Sequence, residues 1–264
     1  KAIGKGSGDD LLNGYFEKPV TEVFDTSGTL PILFINTTQV DNGMPGVIST
    51  VLLPEHSQRQ DVLALADSMG VEQGTGNLRL STAAVLGSRF PYVSPAGKVF
   101  DRYYVDGGYF DNSGAGTVLE FIYELNEFMA DTSQVEIMRL RKRFTFHILH
   151  ITNSEILPRP SKDIHPLTND LLAPVLTLAG MQGSSTSISD GMLTEAFKQF
   201  NADTANAMIV YSLYDETWEP AKNTGEFEEG YPMSWTLSDY QLNRMDAALQ
   251  RANRKNLPKL GFAK

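Results

Sequence analysis

Val105-Asp106-Gly107-Gly108-Tyr109-Phe110-Asp111-Asn112-Ser113-Gly114 constrains this chain more than any other stretch. The apolar and aromatic residues ahead of it, from Val99 to Val105, read as one buried strand. The run stops on a carboxylate, Asp106, and two glycines follow at once. Glycine there permits a positive φ or a close approach of backbone to a ligand. Helical periodicity begins near Gly114. A strand, a carboxylate at its end and a helix behind it form the arrangement at which open α/β sheets gather ligands.

The rest of the chain alternates in the same way. Pro31–Ile35 is a compact apolar run ending on Asn36-Thr37-Thr38, and 47–53 is a second strand closed by Pro54. A loop over Gly43–Gly46 separates them. Helices are expected over Asp61–Met69, Leu78–Gly87 with Ser81 near its cap, and Thr117–Met129. In the last, Val118, Ile122, Leu125 and Met129 share one face. A helix near 133–143, a strand over Phe144–Thr152, helices over Leu171–Gly180 and Met192–Phe200, and a strand over Ala207–Tyr214 follow. Ser238-Asp239-Tyr240-Gln241 is a capping box opening the last helix. Alternation of this kind predicts an α/β fold with a mainly parallel central sheet. We expect a single domain, with residues 1–30 a lead-in, 31–152 the core and 153–264 a C-terminal extension.

Composition removes several kinds of chemistry. There are no cysteines, so disulfides, thiolate nucleophiles and Cys-ligated zinc are excluded. Lys and Arg number 22 against 32 Asp and Glu, a net charge of -10 that argues against a nucleic-acid surface. The compact basic run Arg139–Arg143 suits a helix C-terminus. Contact with anionic lipid headgroups is its sharper reading. No apolar run approaches the roughly 18 residues of a membrane span, and Lys1–Asp10 has no signal-peptide core.

Four histidines are present. His147 and His150 stand three apart on a predicted strand and so point to opposite faces, poor spacing for a shared metal. His56 and His165 lie in loops near prolines. We expect no metal site. No serine has glycine at both minus two and plus two, the nucleophile elbow of α/β hydrolases. Asp106 reads either as a turn cap or as a general base on a rigid strand end. Asp111-Asn112 reads as an N-cap for the following helix.

The Asp106–Asn112 stretch resembles the Asp-Gly-Gly/Ala motif of the patatin-like phospholipase family. Upstream, Arg79–Pro95, with Ser81-Thr82-Ala83 and Phe90-Pro91, looks like that family's Ser-x-Ala…Phe-Pro segment at the usual interval. Leu33–Thr38 resembles the strand before it, and Pro232-Met233-Ser234-Trp235-Thr236-Leu237-Ser238 looks like a Pro-x-x-Trp-x-Leu-Ser segment of bacterial members. The resemblance covers residues 30–130 firmly and the rest loosely.

The resemblance implies a partial patatin-like three-layer fold and a Ser–Asp dyad that hydrolyses lipid acyl esters. It implies Asp106 as the catalytic base, Gly107 and Gly108 as binding residues beside it, and no cofactor. The family's Gly-rich oxyanion loop and serine elbow do not occur before Leu30. The chain therefore looks like the C-terminal part of such a protein, nearly inactive alone. Membrane association through the N-terminal part is implied by bacterial relatives that carry spans there. Two further readings stand beside this one. One is a non-catalytic ligand- or protein-binding domain that kept the fold. The other is an enzyme completed by a partner chain, with self-association through an open sheet edge.

Overall fold

The computed structural model describes residues 14–23, 31–68, 78–89, 94–130, 133, 135–141, 146–152, 187–198, 207–212 and 238–260. The expected helix over Leu171–Gly180, residues 215–234 and the Trp235 segment lie outside them. The described residues fall into two compact units, one formed by those up to Glu124 together with 187–190, the other by those from Leu125 onward without that piece.

The first unit is built on a five-stranded sheet. Its strands are β1 (Phe34–Gln39), β2 (Pro45–Ser49), β3 (Gln60–Asp61), β4 (Gly97–Val99) and β5 (Arg102–Asp106). Their spatial order is β3-β2-β1-β5-β4. The α/β class holds, but the sheet is not mainly parallel. β1 runs antiparallel to both of its neighbours, β2 and β5, and β4 is antiparallel to β5. Only β2 and β3 pair in parallel.

Two hairpins account for the difference. Asp41-Asn42-Gly43 turns β1 back into β2, with Gly43 at φ +68° and its N–H donating to Gln39 O at 3.0 Å. An Asn-Gly pair between two apolar runs is a strong hairpin signal, here outweighed in the sequence reading by the alternation of elements. The second hairpin splits the run read as one strand. Phe100 and Asp101 adopt φ +49° and +60° between Val99 and Arg102, which pair across the turn. Two consecutive left-handed residues are the signature of a tight two-residue hairpin, usually carried by Asn or Gly. Phe at such a position is sterically disfavoured, so local sequence did not advertise the turn.

Strand register assigns the faces. Ile35 pairs with Ile48, and Gln39 with Tyr104, so these share one side of the pleat. Ile48 and Tyr104 are fully buried there with Val62, Ala83 and Leu86. Helices Val62–Ser68 and Leu80–Leu86 cover this face. Ser81 lies inside the first turn of the latter, whose N-cap is Arg79. The opposite face carries Phe34 and Asn36. Phe34 meets Phe121 of helix Ala115–Ala130, ring centroids 5.5 Å apart. On that helix Ala115, Ile122 and Met129 are buried, while Val118 is 37% exposed, so the apolar stripe is narrower than periodicity suggests.

In the second unit β6 (His147–Thr152) and β7 (Ala207–Ser212) pair in parallel. His147 is exposed and His150 buried, as their spacing predicts for opposite faces. Helix Asp239–Asn256 opens with the expected capping box, the Ser238 side chain accepting from Gln241 N and the Gln241 side chain from Ser238 N. At its far end Asn256 Nδ2 donates to Val210 O.

Candidate functional site

The first unit contains a cavity of about 360 Å³ at the end of β5. Asp106, Gly107 and Gly108 line it, joined by Asn36, Gly87 and the turn Asp111–Gly114. The sequence-predicted residues thus stand together at one opening. Asp106 closes β5 opposite Thr37. Its backbone is held on both sides: its N–H donates to Arg89 O at 3.0 Å, and its carbonyl accepts from Thr38 Oγ1 at 3.1 Å. The carboxylate is therefore presented by a strand end with little freedom to shift.

The two glycines are needed for close approach and not for left-handed backbone. Gly107 has φ -63°. A Cβ there would lie 2.5 Å from the carbonyl carbon and oxygen of Asn36. At Gly108 a Cβ would meet Asp106 Oδ1 at 2.9 Å and Asn112 Oδ1 at 2.7 Å. Absence of a side chain lets the Gly108 N–H donate to Asp106 Oδ1 at 2.7 Å. Among the described residues nothing donates to the second oxygen, Oδ2.

Burial raises the Asp106 pKa above the ordinary aspartate value, and the Gly108 N–H bond opposes this without cancelling it. Desolvation disfavours the charged form, and among the described residues no cation is paired with it. A carboxylate more basic than usual, carried on a strand end and with one oxygen lacking a donor among the described residues, is competent to accept a proton from a hydroxyl or water brought to it.

Behind the opening lies a polar network. Asp111 is 2% exposed. Its Oδ2 accepts from Arg59 Nη2 at 3.0 Å and from Thr117 N at 3.0 Å. Asp111 does not take the N-cap position expected of it, since it ends the short helix Gly108–Asp111 and Gly114 precedes helix Ala115–Ala130, but its carboxylate still accepts from Thr117 N in that helix's first turn. The buried ion pair with Arg59 was not foreseen. Arg59 Nε also lies 3.4 Å from Glu120 Oε2, and Glu120 Oε1 accepts from Gln58 N at 2.9 Å. Arg59 therefore fastens the segment before β3 to both the turn and the helix. Asn36 completes the network, its Oδ1 accepting from Thr117 Oγ1 at 2.8 Å.

Among the described residues Ser113 is the only hydroxyl residue lining the cavity. Its Oγ donates to Asp190 Oδ1 at 2.5 Å and accepts from Ala115 N at 3.3 Å. Both contacts tie it to helix starts. Asn36, Arg59 and Thr117 were missed as site residues, since their partners lie 52 to 81 positions away. The polar triplet Asn36-Thr37-Thr38 inside an apolar strand was the one available signal.

No family model, curated protein or solved structure matches the chain.

Proposed function

We propose that this chain supplies the aspartate base of a serine–aspartate acyl-ester hydrolase of the patatin type, acting on lipid or similar acyl esters. One observation carries the reading: Asp106 is half-buried at a strand end, lines a cavity of about 360 Å³ and has its pKa raised by burial. In the reaction Asp106 takes the proton of a serine hydroxyl as that oxygen attacks the ester carbonyl carbon. The alcohol leaves with a proton returned through Asp106. Water, activated by the same carboxylate, then releases the acid and restores the serine. No histidine enters. The serine comes from outside the cavity lining, because Ser113 is engaged with Asp190 and Ala115 N. The patatin-like architecture belongs to this proposal; helices on both faces of the Asp106 sheet support it.

Association with a membrane surface, and self-association through the sheet edges, belong to the same proposal. The outer strands β3 and β4 have two and three residues. Edges that short favour weak self-association over a stable dimer. Among the described residues no helix is long and apolar enough to cross a membrane.

A fluorophosphonate serine probe tests the enzyme reading, applied to this chain and to a form extended by the coding sequence ahead of Lys1. Labelling of the extended form alone, lost or slowed at least a hundredfold by Asp106→Asn, is the expected result. Labelling of neither form, or labelling indifferent to Asp106, overturns it. The engaged state of Ser113 favours a second reading, a binding domain that kept the cavity without the nucleophile. Ester binding by the extended form with no labelling is its expected outcome.

A further inference from the structure

Asn36 lies on the face of β1 turned toward helix Ala115–Ala130, within a strand paired on both sides. A primary amide brings two N–H donors and one acceptor to that half-buried place, and each lost partner costs stability. The acceptor has a donor: Oδ1 lies 2.8 Å from Thr117 Oγ1, the nearer of that hydroxyl's two acceptors, with Asp111 Oδ2 at 3.3 Å. The donors are not both satisfied. Among the described residues Nδ2 reaches only the Asp111 carbonyl oxygen, at 3.5 Å, the outer limit for a hydrogen bond. At least one N–H is left without a partner among the described residues, and Asn36, like Asp106, is one of the residues that line the cavity.

The amide orientation follows from the same contacts. Rotating it by half a turn would set Oδ1 against the Asp111 carbonyl oxygen, lone pair facing lone pair. The groups that hold it are themselves fixed. Thr117, Asp111 and Arg59 are 5%, 2% and 9% exposed and bonded in series. In front of the amide stands Gly114, at φ +73°, where an added Cβ would contact Nδ2 at 3.8 Å.

We infer that Asn36 Nδ2 donates a hydrogen bond to the carbonyl oxygen of an acyl group bound in the Asp106 cavity, with Thr117 as its positioning residue. The inference rests on the acyl-ester reading and names a further contact of that site. A donor fixed before the ligand arrives needs no reorganisation, and it strengthens as negative charge develops on the oxygen. The ligand class is a carbonyl oxygen acceptor with an apolar chain.

The test compares two probes that share one skeleton and differ only by the carbonyl, ethyl butyrate and butyl ethyl ether, titrated into the full chain by NMR. The expected result is that the ester, and not the ether, shifts the Asn36 side-chain N–H resonances. Asn36→Ala is expected to weaken ester binding about tenfold, the value of one hydrogen bond, and to leave ether binding unchanged. Thr117→Val is expected to lower the ester-to-ether preference by a smaller factor, an effect that general loosening of the fold would not produce. Asn36 resonances that stay still while other cavity resonances move overturn the inference, as does absence of ester binding. The wild-type readout needs no variant to fold. Serine-probe labelling of the extended form with unaltered ester preference in Asn36→Ala sinks the donor and leaves the hydrolase. An ester-shifted Asn36 amide without any labelling keeps the donor and sinks the hydrolase.

Discussion

The two ends of β5 each carry an aspartate, five positions apart, and the molecule treats them in opposite ways. Asp101 sits in the left-handed turn between β4 and β5, fully exposed. The Lys98 ammonium is 2.8 Å away and holds its carboxyl below the usual aspartate range, chiefly through their hydrogen bond. Asp106 is half-buried, has a backbone amide as its hydrogen-bond partner and is shifted upward. One strand thus displays a carboxylate stabilised as an anion and another made more basic. A salt-bridged surface aspartate is a poor base because its anion is already satisfied. Incomplete satisfaction of Asp106 suits it to proton transfer.

Removing the support behind Asp106 gives the largest expected effect. Arg59→Met breaks a buried ion pair and leaves Asp111 uncompensated, a loss of about 3–5 kcal/mol by denaturant unfolding. A loss under about 1 kcal/mol would mean that the Asp106 turn does not depend on that network. Gly107→Ala comes next. Its Cβ meets the Asn36 backbone at 2.5 Å, and overpacking against main chain costs about 1–3 kcal/mol or more. Thermal unfolding checks this, and an unchanged melting temperature would refute the close approach.

Asp106→Asn gives a smaller change of opposite sign. The folded-state pKa is raised, so the folded protein binds this proton more readily than the unfolded chain. The charged form penalises folding at pH values above the folded pKa, and that penalty fades as pH falls to the ordinary aspartate range. The substitution is therefore expected to stabilise the protein slightly at neutral pH and to lose that advantage below about pH 4. A variant less stable than wild type at pH 7 would show that the carboxylate is not strained there. Smallest is Asp101→Asn. The contribution of Asp101 has the reverse pH dependence, present above the unfolded pKa and lost as pH falls through the lowered folded one. Exposure and salt screening leave little of it. No measurable change in melting temperature at physiological ionic strength is expected, and a clear loss would end the contrast between the two strand ends.

Much of this arrangement was legible locally. A β-run ending on Asp106, a helix close behind it and the Ser238–Gln241 capping box all depend on residues within a few positions of one another. So does the opposed placement of His147 and His150. Strand direction was less legible. Asp41-Asn42-Gly43 did carry a hairpin signal, whereas Phe100-Asp101 forms a two-residue turn from residues that rarely adopt one. Reading 99–105 as a single strand removed one reversal, and passing over the Asn-Gly turn removed the other. An antiparallel sheet then looked parallel.

Sequence alone determined which carboxylate ends a strand and which glycines follow it, because main-chain periodicity and glycine's missing Cβ act between neighbours. Only the tertiary structure decided what those residues do together. It placed Asn36 beside Gly107, joined Arg59 to Asp111 across 52 positions, and made Asp106 basic through burial. Desolvation and long-range hydrogen bonds depend on which segments meet in space, and chain order does not record that.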